Sequence, residues 1–319
     1  MSKKIIFSAL FLGLSFAAAG IFLPRNDATE ADPEQSAEIT HKIGFITDVH
    51  AYRSKTGFIT PKASAGLESF VNRMNSSFRP DFVVQGGDFI EGTNRFGEKS
   101  IADFLEVKII YDRIEAPRYD VVGNHDMRGL TKDEWRSLTE NESAYYFFDT
   151  GNLRTIVLDS NEKKEESFSE FEETLPKGYL ISDNQINWLE ETLKNSERMK
   201  KIVFIHVPLI ANREMGEPAG KEIFYDHILR IREILERYGV EAVFSGHIEK
   251  LHYREVNGVK YFILPGLYRS EKKKVLWKDC FHEITITDDV EVKMFYKKEG
   301  DADYKELIIP SSEYDAIEK

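Results

Sequence analysis

Cysteine is nearly absent from this sequence, and the single thiol, Cys280, limits the chemistry that the chain can carry. One thiol forms no disulfide within the chain, and without thiol neighbours it makes neither a thiolate metal site nor a redox pair. A small buried apolar side chain on a strand is the ordinary role of such a residue. Any metal site must therefore be built from His, Asp, Asn or Glu.

Net positive charge is also lacking. Lysine and arginine number 43 against 55 acidic residues, which gives a formal charge of -12. Nucleic acids and anionic membranes bind basic surfaces. We therefore expect no binding to double-stranded nucleic acid. A small phosphoester substrate stays compatible with this charge, because the local charge of one site can oppose that of the whole chain.

Long hydrophobic runs are missing except near the amino terminus. Lys3 and Lys4 precede a mostly apolar stretch at residues 5–23, within which three alanines offer a cleavage site. Such a segment is typical of a signal peptide, and its length also approaches that of a membrane-spanning helix. We expect residues 1–24 to be a signal peptide or a membrane anchor. The rest of the chain is then exported, to the periplasm, the extracellular space or the outer side of a membrane.

Composition divides the remaining chain into three parts. Residues 25–40 are polar and acidic without a hydrophobic period, which is typical of a flexible linker. Residues 41–298 alternate short apolar runs with helical patterns, which predicts one α/β domain. Residues 299–319 form a C-terminal tail that we expect to be disordered or loosely packed.

Four segments of the domain repeat apolar residues at helical spacing, which predicts four amphipathic helices. Their stripes are Leu67, Phe70, Val71 and Met74; Ile101, Phe104, Leu105 and Ile109; Ile186, Leu189 and Leu193; and Ile228, Ile231 and Leu235.

Five short apolar runs each end in residue types that bind metals. The runs at 44–47, 82–85, 119–122, 202–205 and 242–245 are followed by Asp48, Asp88, Asn124, His206 and His247. In open α/β sheets, ligands bind beyond the carboxyl ends of the strands. The pattern therefore predicts that these side chains meet at one rim.

Carboxylate, imidazole and amide groups are ligands for divalent cations. Asp48 and His50 are two residues apart on an extended chain and point to the same side. Asp88 follows two glycines, which allow close backbone approach, and is placed to bridge two ions. We expect His125 to face the substrate and Asp126 to orient its imidazole. Each motif alone is also compatible with a turn or a core histidine, and only their combination predicts a metal site.

The order of these blocks resembles that of the calcineurin-like metallophosphoesterases. The blocks are Asp48-x-His50, Gly87-Asp88, Gly123-Asn124-His125-Asp126, His206 and Gly246-His247, and the similarity covers residues 43–296. Residues 145–148, 185–189 and 262–266 resemble the cyclic-nucleotide-phosphodiesterase and purple-acid-phosphatase-like branches. The resemblance implies an α/β fold, namely a four-layer α/β/β/α sandwich of two mixed β-sheets. A dinuclear metal centre would lie at the carboxyl-terminal rim of the strands.

The resemblance also implies a ligand set for two divalent metal ions. Asp48, His50 and Asp88 would hold the first ion, and Asp88 would share the second with Asn124, His206 and His247.

The chain departs from the family pattern at one ligand. The usual Gly-His-x-His ending reads Gly246-His247-Ile248-Glu249 here. A carboxylate ligand from Glu249 would give the first site one more hard oxygen donor in place of a nitrogen, which favours manganese or iron over zinc. Otherwise the first site has lost a ligand, for which His252 is a poorly spaced substitute. Val207 stands where a second histidine usually follows His206, which affects contacts to the substrate.

The implied reaction is hydrolysis of a phosphodiester or a phosphomonoester by hydroxide that bridges the two cations. His125 would protonate the leaving oxygen, and Asp126 would fix its tautomer. A two-metal peptidase or amidase and a catalytically impaired metal-binding module are the alternatives. Five basic residues near the strand ends are either a phosphate-binding collar or ordinary loop charges: Arg53, Lys55, Arg95, Arg128 and Arg213.

Overall fold

The computed structural model describes residues 40–53, 59–92, 97–162, 181–216, 223, 225–267, 277–298 and 300–312. The predicted signal peptide or anchor, and the predicted linker up to residue 39, lie outside these residues. Within the described ranges, no helix has the length and apolarity needed to cross a bilayer.

Twelve strands and six α-helices are described. The strands are β1 His41–Ile46, β2 Phe82–Gln85, β3 Arg118–Asp120, β4 Tyr146–Thr150, β5 Leu153–Leu158, β6 Lys200–Ile205, β7 Ala242–Ser245, β8 His252–Val256, β9 Val259–Ile263, β10 Lys278–Ile286, β11 Val290–Lys297 and β12 Lys305–Ile309. The helices are α1 Pro61–Arg73, which continues as a π-helical turn at Met74–Phe78, α2 Glu98–Tyr111, α3 Asp126–Gly129, α4 Lys132–Thr139, α5 Asp183–Lys194 and α6 Tyr225–Arg237.

The strands form two mixed six-stranded sheets. The first has the order β12-β11-β10-β1-β2-β3, and the second β4-β5-β6-β7-β9-β8. β1, β2 and β3 are parallel to one another, as are β5, β6, β7 and β9. Because parallel strands end at the same edge, each sheet presents a row of carboxyl ends from which loops emerge.

The hydrophobic core lies in three layers. Between the sheets, Phe45 and Phe82 of the first sheet belong to the same cluster as Phe204 and Phe244 of the second. On the outer side of the first sheet, the apolar faces of α1 and α2 pack. On the outer side of the second sheet, those of α5 and α6 pack. This order of layers confirms the predicted four-layer α/β/β/α sandwich of two mixed sheets.

The buried face of α2 differs from the predicted stripe. Phe104, Val107 and Tyr111 are buried, whereas 49% of Leu105 and 69% of Ile109 are exposed. The helix was predicted correctly, but its apolar residues occupy two faces, and the sheet and α1 cover only one. Periodicity alone did not distinguish the buried Phe104 from the exposed Leu105 and Ile109.

The carboxyl-terminal boundary of the domain at residue 298 was placed too early. β12 pairs antiparallel with β11, and Leu307 and Ile309 are buried in the core between the sheets. The expectation of a loose tail is therefore wrong for residues 305–309. Cys280 is fully buried on β10, as predicted.

Candidate metal centre

The loops after five strands bring the predicted ligands together at one rim. Asp48 and His50 follow β1, Asp88 follows β2, and Asn124 lies in the loop after β3. From the second sheet, His206 follows β6 and His247 lies just beyond β7. Asp48, His50, Asp88 and His206 are each at most 2% exposed. Buried carboxylates and imidazoles at this density require compensating charge.

The backbone of this rim is unusual. Asp48, His50, Asp88, His247 and Glu249 all adopt left-handed conformations, with φ between 46° and 69°. Non-glycine residues occupy this region at a cost of about 1–3 kcal/mol each, and they cluster at functional sites. The rim therefore holds five polar side chains in place at the expense of local strain.

His206 is held as a neutral ligand would be. Its Nδ1 lies 2.9 Å from the carbonyl oxygen of Gly86, which only accepts, so Nδ1 carries the hydrogen. The other ring nitrogen, Nε2, faces Oδ2 of Asp88 at 3.1 Å and Oδ1 of Asn124 at 3.2 Å. A lone pair facing two acceptor oxygens is repulsive unless a proton or a cation lies among them. The donor set therefore fits a metal ion, with Gly86 fixing the tautomer.

His50 has the same arrangement on the other side of Asp88. Its Nδ1 lies 2.9 Å from Oε2 of Glu91, an acceptor. Its Nε2 lies 3.6 Å from Oδ1 of Asp48, 3.7 Å from Oδ2 of Asp88 and 4.0 Å from Oε1 of Glu249. These distances are too long for hydrogen bonds. Two ligands that each lie about 2.1 Å from one ion are roughly 3–4 Å apart, so the gap fits a cation.

Asp88 connects the two groups. One set of potential ligand atoms comes from His50, Asp88 and His125, and the other from Asp88, His206 and His247. Within each set, the atoms lie within 4.8 Å of one another. Asp88 is the residue that both sets share, as expected of a bridging carboxylate.

Asp48 and Asn124 complete the rim. The backbone N–H of His247 donates to both carboxylate oxygens of Asp48, at 3.2 and 3.1 Å, and the Thr47 hydroxyl donates to Oδ2 at 2.8 Å. Oδ1 of Asn124 lies 2.9 Å from Nδ1 of His247. The amide oxygen of Asn124 is thus directed at the group that contains His206 and His247.

The charges of the metal-free site balance through the histidines. Burial alone would lower the pKa of His50, but Asp48 and Glu91 raise it to about 10. Burial would likewise lower the pKa of His206, but Asp88 raises it to about 9. Burial would raise the pKa of Asp88, yet His206 and His50 hold it well below its usual range. Without a cation, protons on the imidazoles therefore neutralise the carboxylates.

Glu91 is a site residue that the sequence reasoning missed. Its carboxylate contacts Nδ1 of His50 at 2.9 Å and lies 3.4 Å from Nδ1 of His125, and its carbonyl oxygen is 3.1 Å from the same nitrogen. The pKa of Glu91 is lowered to about 2, because these contacts outweigh burial. The signal available in the sequence was a carboxylate three residues after the bridging Asp88.

Asp126 has a different role from the predicted one. Its carboxylate accepts the backbone N–H groups of Ile90 at 3.1 Å and of Gly123 at 2.9 Å. It therefore ties the loops after β2 and β3 together. The Nδ1 of His125 lies instead 3.1 Å from the carbonyl oxygen of Glu91, which accepts its hydrogen when Nδ1 is protonated, and 2.9 Å from Nη1 of Arg128. With Nδ1 engaged, Nε2 is the nitrogen left for a substrate.

Comparison with known proteins agrees with this geometry. The calcineurin-like phosphoesterase family matches residues 41–250. The chain belongs to this family. A glycerophosphodiester phosphodiesterase from Enterobacter lignolyticus is 25% identical over 235 residues, which cover 70% of this chain and 76% of that protein. Human tartrate-resistant acid phosphatase type 5 is 23% identical over 204 residues, 57% of this chain and 60% of that protein.

A dimetal phosphatase from Danio rerio has the same fold. Its structure superposes with a TM-score of 0.64 at 18% identity, covering 84% of this chain and 98% of that chain. The prediction of a metallophosphoesterase is confirmed, and this calcineurin-like phosphoesterase catalyses metal-dependent hydrolysis of phosphoesters. A dinuclear metal centre is typical of the family.

Glu249, the residue that departs from the family pattern, lies at the edge of this centre. Its side chain is 20% exposed, and Oε1 reaches within 4.0 Å of His50 Nε2. His252 lies at the start of β8, paired with Ile263, and belongs to neither ligand group among the described residues. Of the two, Glu249 is the side chain that lies close to Nε2 of His50.

Two of the five basic residues predicted to form a phosphate-binding collar contact other side chains instead. Arg53 pairs with Glu106 at 2.9 Å, and the guanidinium of Arg213 lies over the ring of Tyr225 at 3.7 Å. Arg128 contacts His125, as described above. Lys55 and Arg95 lie outside the described residues. Within the described part of the collar, Arg128 is the basic residue placed against the active site of this phosphoesterase.

Proposed function

We propose that this phosphoesterase cleaves a small diester or monoester by direct attack of water at phosphorus, without a covalent enzyme intermediate. The observation that carries the proposal is the position of Asp88, whose Oδ2 faces His206 Nε2 at 3.1 Å and His50 Nε2 at 3.7 Å. When bound, two cations would supply an activated water and would neutralise charge on the attacking and leaving oxygens.

The chain's own residues divide into holding and proton-transferring groups. Asp48, His50 and Asp88 would hold one cation, and Asn124, His206 and His247 would join Asp88 in holding the other. His125 would give its Nε2 proton to the leaving oxygen, while Nδ1 keeps its own hydrogen by donating it to the carbonyl oxygen of Glu91 at 3.1 Å. General acid catalysis requires this kind of fixed ring orientation.

We propose manganese or iron, rather than zinc, as the resident metals. Three carboxylates, those of Asp48, Asp88 and Glu249, surround Nε2 of His50 at 3.6–4.0 Å. An oxygen-rich set with one imidazole favours harder cations, whereas zinc prefers more nitrogen or sulfur. Glu249 then acts as the ligand that replaces the family's final histidine.

We propose that the reaction takes place outside the cytoplasm. The lysine-flanked apolar stretch at residues 5–23 supports export, and the single cysteine is compatible with an oxidising compartment. Protease protection of the domain in intact cells, compared with lysed cells, tests this location. The same assay is repeated on spheroplasts, which lack the outer barrier. A domain that is protected from protease in both intact cells and spheroplasts would lie in the cytoplasm, which would contradict the proposal.

The first test of the activity uses the full chain, stripped of metal and reloaded with manganese, iron or zinc. Hydrolysis is measured on bis-p-nitrophenyl phosphate and on p-nitrophenyl phosphate. The relative named as a glycerophosphodiester phosphodiesterase supports diesters as the first class to examine. Metal-dependent turnover of either ester supports the proposal, and the faster ester identifies the class. No turnover with metal bound would favour a catalytically impaired binding module.

A further inference from the structure

Arg128 is a half-buried arginine at an active site whose substrates are anionic. Its Nη1 lies 2.9 Å from Nδ1 of His125. Within the part of the chain that the structure describes, no carboxylate forms an ion pair with Arg128. The guanidinium carries five N–H donors, and at most one of them is directed at His125.

The loop that carries Arg128 is tightly fixed. The backbone N–H of Arg128 donates to the His125 carbonyl oxygen at 3.1 Å, and Asp126 ties the same loop to Ile90 and Gly123. A Cβ on Gly92 would meet the His125 carbonyl oxygen at 2.0 Å, so the two loops are in close contact. The guanidinium is therefore presented from a rigid support.

The position of Arg128 relative to His125 defines which part of the substrate it reaches. His125 donates its proton to the leaving oxygen through Nε2, so the leaving alcohol lies beside this ring. Arg128 contacts the opposite nitrogen of the ring, farther from the reacting phosphorus. If the leaving alcohol follows the ring from Nε2 towards Nδ1, a group carried a few bonds beyond the ester oxygen would reach the guanidinium.

We propose that Arg128 binds an anionic group on the leaving alcohol and so selects phosphoesters whose alcohol carries a carboxylate or a second phosphate. This inference rests on the proposed function, because it uses His125 as the proton donor. Guanidinium groups pair in a bidentate manner with both kinds of anion. Arg53, which is already paired with Glu106 and Asp103, is not free to do the same.

The test compares two esters of matched shape that differ in charge, 4-carboxyphenyl phosphate and 4-carbamoylphenyl phosphate. We expect wild-type holoenzyme to prefer the carboxylate roughly tenfold in kcat/KM, mostly through KM, as for one charge-assisted hydrogen-bonded pair. In Arg128→Gln the ratio of the two esters should fall to about one. Arg128→Lys should keep part of the preference, since lysine retains the positive charge but lacks the two parallel N–H donors of the guanidinium.

Arg53→Gln is the matched control, because it removes a collar arginine that is already paired. Its ratio should equal that of the wild type. Hydroquinone diphosphate, with a phosphate in place of the carboxylate, identifies which anion is preferred. If the wild type hydrolyses both esters without preference, or if Arg128→Gln keeps the preference, the inference is wrong while the proposed function stands.

A binding measurement tests the role of Arg128 independently of whether any ester is hydrolysed. The non-hydrolysable 4-carboxybenzylphosphonate and 4-carbamoylbenzylphosphonate are titrated calorimetrically into the metal-loaded wild type and Arg128→Gln. A charge preference of the wild type that the variant loses supports the inference even if no ester is turned over. Equal affinities of the wild type for both phosphonates would overturn it.

Discussion

The backbone N–H of His125 donates to Oδ1 of Asp88 at 2.7 Å, and this contact leaves Oδ2 of the same carboxylate facing the histidines. Oδ2 lies 3.1 Å from His206 Nε2 and 3.7 Å from His50 Nε2. One oxygen therefore faces both ligand groups, while the other is held by the loop that carries the proposed proton donor. Metal binding and the placement of His125 depend on the same side chain.

Asp88→Ala should remove activity and lower the number of bound metals. The shared carboxylate serves both positions, so we expect at most one ion per chain and a fall in kcat of about a thousandfold or more. Elemental analysis after dialysis and steady-state kinetics check this. Asp133→Ala, at a highly exposed carboxylate, is the control. Two ions retained by the Asp88 variant would exclude the bridging assignment.

Glu91→Gln should weaken metal binding and slow the reaction together. The glutamate orients both His50 and His125, and loss of such an outer partner typically costs 10–100-fold in metal affinity or activity. Competition with a chelator measures the affinity. Glu98→Gln, at an exposed position on α2, should leave it unchanged. A variant with full metal affinity but a lower kcat would assign Glu91 to His125 alone.

Asp126→Asn should destabilise the fold, because Asp126 ties two loops together. Substitution of a residue that only oriented His125 would have a smaller effect on stability. The asparagine has one acceptor oxygen where the aspartate has two, so its NH2 group faces one of the two backbone N–H donors. That buried N–H then has no acceptor. We expect the free energy of unfolding to fall by about 1–3 kcal/mol. Denaturant unfolding of the metal-free protein checks this. Unchanged stability with an altered pH–rate profile would instead restore the role of orienting His125.

Glu249→His should shift metal preference towards zinc while activity is kept or raised. The change replaces one of three carboxylates around His50 with the nitrogen ligand that the family usually has. Activity and affinity are compared for the chain reloaded with manganese, iron and zinc. Glu255→His, on the exposed part of β8, is the control. An identical order of metals in wild type and variant would show that Glu249 is no ligand.

Metal loading near neutral pH should release protons. In the metal-free protein, the pKa values of His50 and His206 are raised to about 10 and 9, so both imidazoles are protonated. Their contribution to stability is fully present below the ordinary histidine pKa of 6.5 and is lost as pH rises through 9 to 10. A cation takes the place of these protons.

Titration calorimetry in buffers with different ionisation enthalpies counts the released protons. We expect roughly two per chain at about pH 7.5, and fewer as the pH approaches 10. A heat that does not depend on the buffer would mean that the histidines are neutral before the metal arrives.

The meeting of the candidate ligand side chains at one rim could be predicted because each one lies within three positions of the end of an apolar run. Asp48, Asp88 and His206 stand at strand ends, where chain topology alone places them at a common edge. Glu91 was missed since a carboxylate six residues beyond the end of β2, and three beyond Asp88, looks like an ordinary loop charge. Only the three-dimensional path of the loop turns it back towards His50.

The prediction that Asp126 orients the imidazole of His125 was wrong for a similar reason. Neighbouring residues at the start of a helical turn point in different directions, so Asp126 cannot simply face the ring of His125. On α2, Leu105 and Ile109 are apolar but exposed, and no local pattern distinguishes them from the buried Phe104. Which face meets the sheet depends on tertiary packing.

The hydrogen bond from His247 to Asp48 joins residues that are 199 positions apart in the chain. One comes from the first sheet and the other from the second, as do the ligands on either side of Asp88. During synthesis, the complete centre cannot exist until both sheets have emerged from the ribosome and docked. Completion of the centre is thereby a late step of maturation, which requires that the two sheets have already assembled.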